Sequence, residues 1–146
     1  MTVFARPPDT IDREPVRVMG STCADDVAEI QRLWSWFEEL VGLRGRKMYG
    51  AVDVVTHTYT TCTPIRRDDD PLRLGLNVGQ LPGGSFLRGH LHGDAPRLYS
   101  LIAPGFEELQ AVRSTDLGRP MVEYYKRQDQ VELWLPVPVS PTPRHP

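Results

Sequence analysis

Two glutamates near the C-terminal end, Glu123 and Glu132, have the types and spacing that most suggest chemistry. They lie in two apolar-rich runs, Met121 to Lys126 (MVEYYK) and Val131 to Val137 (VELWLPV), which read as the strands of a hairpin around Arg127-Gln128-Asp129-Gln130. A turn centred on Arg127-Gln128 sets Glu123 opposite Glu132, and Met121 opposite Trp134, on one face of a sheet. Carboxylates that close push one pKa upward, leaving a protonated acid beside an ionised base, a pair able to activate water. The two-residue strand period brings Met121, Tyr125 and Trp134 onto the face of the glutamates, an apolar and aromatic surround with few polar groups, as in a ligand pocket. The same residues also fit an ordinary solvated hairpin face on which Lys126, Arg127 or Arg119 compensates the acids.

Other residues allow the same two readings. Tyr49, His57 and Tyr59 share the parity of one strand face, so they either line the other side of a cleft or pack within the sheet. Trp34 and Phe37 sit on a helical apolar stripe and belong to a core, whereas Trp36 falls off that stripe and is either a pocket wall or an exposed contact. Gly84, five residues on His90, and then His92 match the first half of a cupin metal motif, but Pro96 and Arg97 stand where its glutamate belongs, so no metal site is expected. Cys23 and Cys62 have no CxxC partners, and no histidine lies close to Cys23 in sequence to activate it. Gly83-Gly84 and Gly118 lack the spacing and following helix of a phosphate loop.

These residues need elements to position them. Pro15 to Met19 reads as a strand, and a helix follows with Thr22 or Asp25 as its cap and Val27, Ile30, Leu33, Trp34, Phe37, Leu40 and Val41 recurring at helical spacing up to Gly42. Tyr49 to Cys62 and Leu72 to Val78 read as a hairpin joined by a charged loop. The pattern then restarts: Ser85 to His92 as a strand, a helix from Pro96 that Pro104-Gly105 should kink or split, and the final hairpin. The expected class is α+β, two β-α-β-β units with pseudo-twofold symmetry, their helices on a curved antiparallel sheet and a ligand cleft at the junction. Residues 1–13 read as a flexible lead, 14–138 as the ligand-binding domain with repeats at about 14–79 and 84–138, and 139–146 as a disordered tail.

Composition narrows the classes further. The 146 residues suit one domain and exclude two independent catalytic ones. A net charge of −2, from 17 basic and 19 acidic side chains, offers no broad positive face for a phosphate backbone, so no nucleic-acid partner is expected. No apolar stretch approaches the ~20 residues of a membrane helix, and no signal-peptide core precedes Asp12, which points to a soluble, cytoplasmic protein with reduced cysteines.

His92-Gly93 closing a strand, Gly118-Arg119-Pro120 leading into Val122-Glu123-Tyr124-Tyr125, and the closing Val131-Glu132-Leu133-Trp134-Leu135-Pro136-Val137 together resemble the GyrI-like family of small-molecule-binding, drug effector-binding domains. The likeness runs over roughly residues 14 to 138. It implies a central cleft that receives hydrophobic, aromatic, drug-like molecules, with an acidic residue at the floor in several members and no cofactor. Some members resemble sensors or sequestering proteins, and others are similar to hydrolases that open the cyclopropane of DNA-alkylating natural products. Residues before 14 leave no room for a helix-turn-helix, so a stand-alone member is expected. Two functions remain: a self-resistance or detoxification hydrolase using Glu123 and Glu132 to activate water, or a binding and sensing module, with Tyr125, Trp134, Met121, Trp36, Tyr49, His57 and Tyr59 contacting the ligand in either.

Overall fold

The strongest helical signal in the sequence forms α1, Val27–Val41. Asp26 caps it, its carboxylate accepting from the Glu29 N–H at 3.1 Å, and Gly42 ends it at φ 75°, a backbone state that glycine adopts without strain. The computed structural model describes residues 1–139, so the tail expected from 139 onward lies, apart from Val139, outside the described residues.

Eight antiparallel strands form one sheet: β1 (Asp9–Arg13), β2 (Val16–Ala24), β3 (Met48–Asp53), β4 (Thr58–Pro64), β5 (Asn77–Leu81), β6 (Gly84–His92), β7 (Met121–Arg127) and β8 (Gln130–Pro136). Their order across the sheet is β1-β6-β8-β7-β3-β4-β2-β5. Between β6 and β7 the chain forms α2 (Arg97–Ser100) and α3 (Ile102–Val112). The class is α+β with helices on a curved sheet, and among the described residues no helix is long and apolar enough to cross a membrane.

The sheet must curl, because of its links. β1 and β2 stand six inter-strand steps apart, about 29 Å in a flat sheet. Only Glu14 and Pro15 join them, a connection that spans at most about 11 Å. The same holds for β5 and β6, joined by Pro82 and Gly83. Both edges therefore approach each other, and the links touch: a Cβ added to Gly83 would lie 2.6 Å from Pro15 N. Arg119 pins the crossing by donating to the carbonyls of Gly83, Ser85 and Val137 at 2.9–3.1 Å.

Curling gives each face a core. On the helix-free face Val18, Tyr49, Cys62, Leu81, Phe86, Val122 and Trp134, drawn from both halves, bury one another without any helix. On the other face α1 packs on β2 and β4 around Met19, Phe37, Met48 and Leu76, while α3 packs on β6 and β8 around Leu87, Leu91, Phe106, Leu109 and Leu133. Neither helix packs extensively on β3 or β7. These central strands lie between the two helices on that face.

Several elements differ from the sequence expectation. Asp9–Arg13, within the lead, is strand β1 paired with β6, and Phe4 is buried in the α3-side core. Tyr49 to Cys62 is two strands, because the Asp53 carboxylate accepts from the Val55 and Thr56 N–H groups and stops β3, and His57 turns the chain at φ 56°. Leu72 to Leu76 is a turn, and β5 begins only at Asn77 and pairs with β2. The second helix breaks at Leu101, not at Pro104, which sits in the first turn of α3, where a missing N–H costs nothing.

The last hairpin carries the most consequential difference. Its turn lies at Gln128-Asp129, and Lys126 is an extra residue in a bulge between the Tyr125–Val131 and Arg127–Gln130 pairs. Glu123 consequently faces Leu133, and Glu132 faces Tyr124. A one-residue slip reverses every side chain of a strand relative to its neighbour. The two glutamates point to opposite faces of the sheet.

Candidate functional site

Glu123 stands on the helix-bearing face of β7, between the two helices, and is 6% exposed. Its partner across β3 is Gly50, and the missing side chain there is what makes room for the site. A Cβ on Gly50 would strike the Tyr59 hydroxyl and lie 2.8 Å from Glu123 Oε1. Tyr59, reaching over Gly50 from β4, donates to Oε1 at 2.7 Å, and Tyr125 donates to the same oxygen at 2.6 Å. Trp34 of α1 donates its indole N–H to the Tyr59 oxygen at 2.8 Å. None of the hydrogen bonds among the described residues uses Oε2.

Aromatic rings wall this carboxylate. Trp34 meets Tyr125 edge-on at 5.0 Å and Tyr59 at 6.5 Å, and Tyr99 of α2 meets Tyr125 at 6.1 Å. Tyr99 is exposed, Trp34 and Tyr125 are half-buried, and the box thus opens between the two helices. Burial pushes the Glu123 carboxyl above its usual range, while the Tyr125 and Tyr59 hydrogen bonds, which favour the ionised form, pull it part of the way back. The same burial and the neighbouring carboxylate hold both phenols well above the ordinary tyrosine value, so they remain donors across the working pH range. Among the described residues no Lys, Arg or His nitrogen lies within 4 Å of Glu123. The arrangement is a buried carboxylate with neutral donors on one oxygen and a free second oxygen, able to receive a cation or to take a proton from water.

Glu132, 4% exposed, has a different setting on the helix-free face. Trp134 donates its indole N–H to Oε1 at 3.0 Å, Arg88 Nη1 stands 3.6 Å from Oε1, and Lys126 Nζ 3.4 Å from Oε2. Its charge is compensated by cations.

The structure therefore divides the residues singled out from sequence. Glu123, Tyr125 and Tyr59 meet in one site, and Met121, on the same face of β7, is half-buried against the α3-side core. Trp134 and Tyr49 belong to the opposite face, where Tyr49 stacks on Tyr124 at 4.9 Å and Trp134 lies under the Arg13 guanidinium at 4.7 Å. His57 is an exposed turn residue, and Trp36 is 45% exposed on the outer side of α1. Trp34, Tyr99 and Gly50 are the site residues that sequence reasoning missed. The clue for Gly50 was a glycine inside a strand, which marks a close approach; Trp34 was hidden because it sits on the core stripe and serves both roles. His90 and His92 face a recess beside Glu132, and among the described residues no group of three or more His, Cys, Asp or Glu side chains could hold a metal ion.

No protein-family model matches the sequence, and no curated protein matches it. Solved structures do. An integron cassette protein from the mobile metagenome of Vibrio cholerae superposes with a TM-score of 0.69 at 16% identity, over 90% of this chain and 95% of that one. SAV2435 bound to tetraphenylphosphonium gives 0.64 at 12% identity, over 91% and 94% of the two chains. A hydrolase from Listeria innocua gives 0.54 at 12% identity, over 91% and 92%. These likenesses show the fold of the chain, which it shares with a structure that holds a small hydrophobic cation.

Proposed function

We propose that the chain is a GyrI-like small-molecule-binding protein whose cleft, between α1 and α2–α3, holds a flat, hydrophobic, positively charged compound. One observation carries this reading: Glu123 is buried with two phenols on Oε1 and without a cation, so its ionised form lacks a counter-charge that a ligand would provide. Aromatic faces attract cations and stack on flat rings, which suits Trp34, Tyr99 and Tyr125 as walls. The tetraphenylphosphonium held by a protein of the same fold shares the hydrophobic, aromatic and cationic character of this class, though it is tetrahedral rather than flat. The strand order reads the same from either end when β1–β4 are exchanged for β5–β8, which supports a pseudo-twofold pair of repeats, β1 to β4 and β5 to β8 rather than the units at about 14–79 and 84–138, with the cleft at their junction. Detoxification by binding inside the cell is the role this suits.

A second reading is hydrolysis of a strained, cyclopropane-bearing alkylator. Its support is the free Oε2 of a carboxylate whose pKa burial raises above the usual range, with Tyr59 and Tyr125 as the available donors. Glu132, on the other face, takes no part in this version. Titrating the protein with tetraphenylphosphonium while following tryptophan fluorescence tests the binding reading: saturable quenching is expected, because Trp34 borders the site, and no response to it or to any flat aromatic cation contradicts the reading. Incubation with a cyclopropane-bearing alkylator, followed by mass, separates the two, since only hydrolysis adds the mass of one water at multiple turnovers.

A further inference from the structure

Trp36, Leu43 and Leu72 are large apolar residues that neither the cores nor the Glu123 site uses. They belong to the end of the molecule where α1 finishes. Two loops meet there, residues 42–47 after α1 and residues 65–76 after β4. A clamp fixes one to the other: Arg46 donates to both Asp69 oxygens at 2.6 and 2.9 Å, and Arg66 donates to the Arg44 carbonyl at 2.9 Å. Leu76 is buried in the α1-side core and Ile65 and Leu74 pack against it, which anchors the second loop. Leu72, two residues before Leu74, is nevertheless 89% exposed, and Leu43 on the first loop is 56% exposed. A lone exposed leucine is ordinary, but the charges around these two are not.

The two loops carry Arg44, Arg46, Lys47, Arg66, Arg67 and Arg73 against Asp68, Asp69 and Asp70, a net charge of +3 in a chain whose total is −2. Arg46 and Asp69 cancel each other within the clamp. Among the described residues no carboxylate oxygen lies within 4 Å of the other five cations. Exposed Arg127 joins them, because Met48 pairs with Tyr125 and so sets Lys47 beside the β7–β8 turn. The opposite end is acidic: Asp25, Asp26 and Glu29 stand at the start of α1, and Asp53 ends β3. Trp36 adds a half-exposed indole on the outer side of α1, where Arg32 and Glu39, one turn to either side, offset each other. Leucines on fixed loops, ringed by cations without partners, suit a surface that is negative outside and apolar beneath. We infer that this end of the molecule docks on a bilayer containing anionic lipid, the cations meeting the headgroups while Leu72, Leu43 and Trp36 enter the boundary below them. A nucleic acid would use the cations and leave the leucines in water. The charge separation along α1 turns the basic end toward the membrane.

The test is co-sedimentation of the full chain with vesicles of phosphatidylcholine alone and of equimolar phosphatidylcholine and phosphatidylserine, at low and at physiological salt. Binding to the anionic vesicles alone, weaker at the higher salt, is expected. Leu72→Ser should reduce it by about tenfold, and Arg67→Gln and Arg73→Gln by about fivefold each. All three side chains are exposed, so these variants keep the fold. Val55→Ser, which removes an apolar residue 63% exposed at the acidic end, should leave binding unchanged. Absence of binding to the anionic vesicles, equal binding to both compositions, or wild-type affinity in Leu72→Ser and Leu43→Ser alike overturns the proposal. The last of these results would leave a purely electrostatic surface, suited to an acidic protein instead.

Discussion

Glu123 and Glu132 occupy the two strands of one hairpin, are equally buried, and differ in nearly everything else. Glu132 is surrounded by its own cations and an indole donor, so its charge is neutralised within the fold. Glu123 is held by two phenols that orient it without cancelling its charge. Burying an uncompensated carboxylate costs stability, and a fold that keeps one gains nothing from it unless something binds there. The contrast between compensated and uncompensated acid is the observation on which the proposed function rests.

The largest break in the comparison comes from removing Trp134, which would have been the pocket residue had the glutamates shared a face. It lies in the helix-free core with Tyr49, Tyr124 and Phe86, so Trp134→Ala should cost about 3–5 kcal/mol in denaturant unfolding. Ligand affinity of the folded fraction should hold. Gly50→Ala should cost somewhat less, about 1–3 kcal/mol, because the atoms nearest the new methyl are the ends of the Tyr59 and Glu123 side chains. Here binding in the cleft should fall while the surroundings of Glu132 stay intact, a difference visible in the aromatic and indole NMR signals.

Acidity separates the two carboxylates in a subtler way. The Glu123 pKa is raised in the folded state above its unfolded value near 4.5, so the folded protein binds that proton more tightly than the unfolded chain does. Its contribution to stability is fully present below pH 4.5 and declines as pH rises through the folded value. Affinity for a cation moves oppositely, appearing as Glu123 ionises with rising pH. Chemical denaturation across this window should show a slope that Glu123→Gln removes. The smallest expected effect is that of Tyr59→Phe: one donor to Oε1 is lost, the Glu123 pKa rises further, and stability falls by about 1 kcal/mol.

How much of this was legible in the sequence depended on the range of the interaction. α1 announced itself through the Val27-to-Val41 periodicity and its terminal glycine, and the alternation in Met121–Lys126 and Val131–Val137 gave both final strands. The face each strand presents was lost to one bulged residue, Lys126, whose presence no propensity reveals because it is set by where the turn forms. β1 was missed because all of its five residues but Ile11 are polar and most are exposed, and only pairing with β6 makes them a strand. The Asp53 turn that divides β3 from β4 was readable in principle from an Asp placed before a Val-Thr-His stretch, and recognising it would have paired Tyr59 with Val52, two residues along β3 from Gly50 and on the same face. Trp34 and Tyr99 reach the site from helices that approach each other only through the curl of the sheet, a property of the two short links and of the strand order together.

The central claim, that only the uncompensated carboxylate serves a ligand, is tested most directly by titrating tetraphenylphosphonium calorimetrically into the wild-type protein, Glu123→Gln and Glu132→Gln at the same pH. Losing a buried counter-charge costs about 2–5 kcal/mol, so Glu123→Gln should bind roughly 30-fold to 4,000-fold more weakly. Glu132→Gln, confirmed folded, should bind as the wild type does. Equal affinity in all three proteins, or a loss confined to Glu132→Gln, would contradict it.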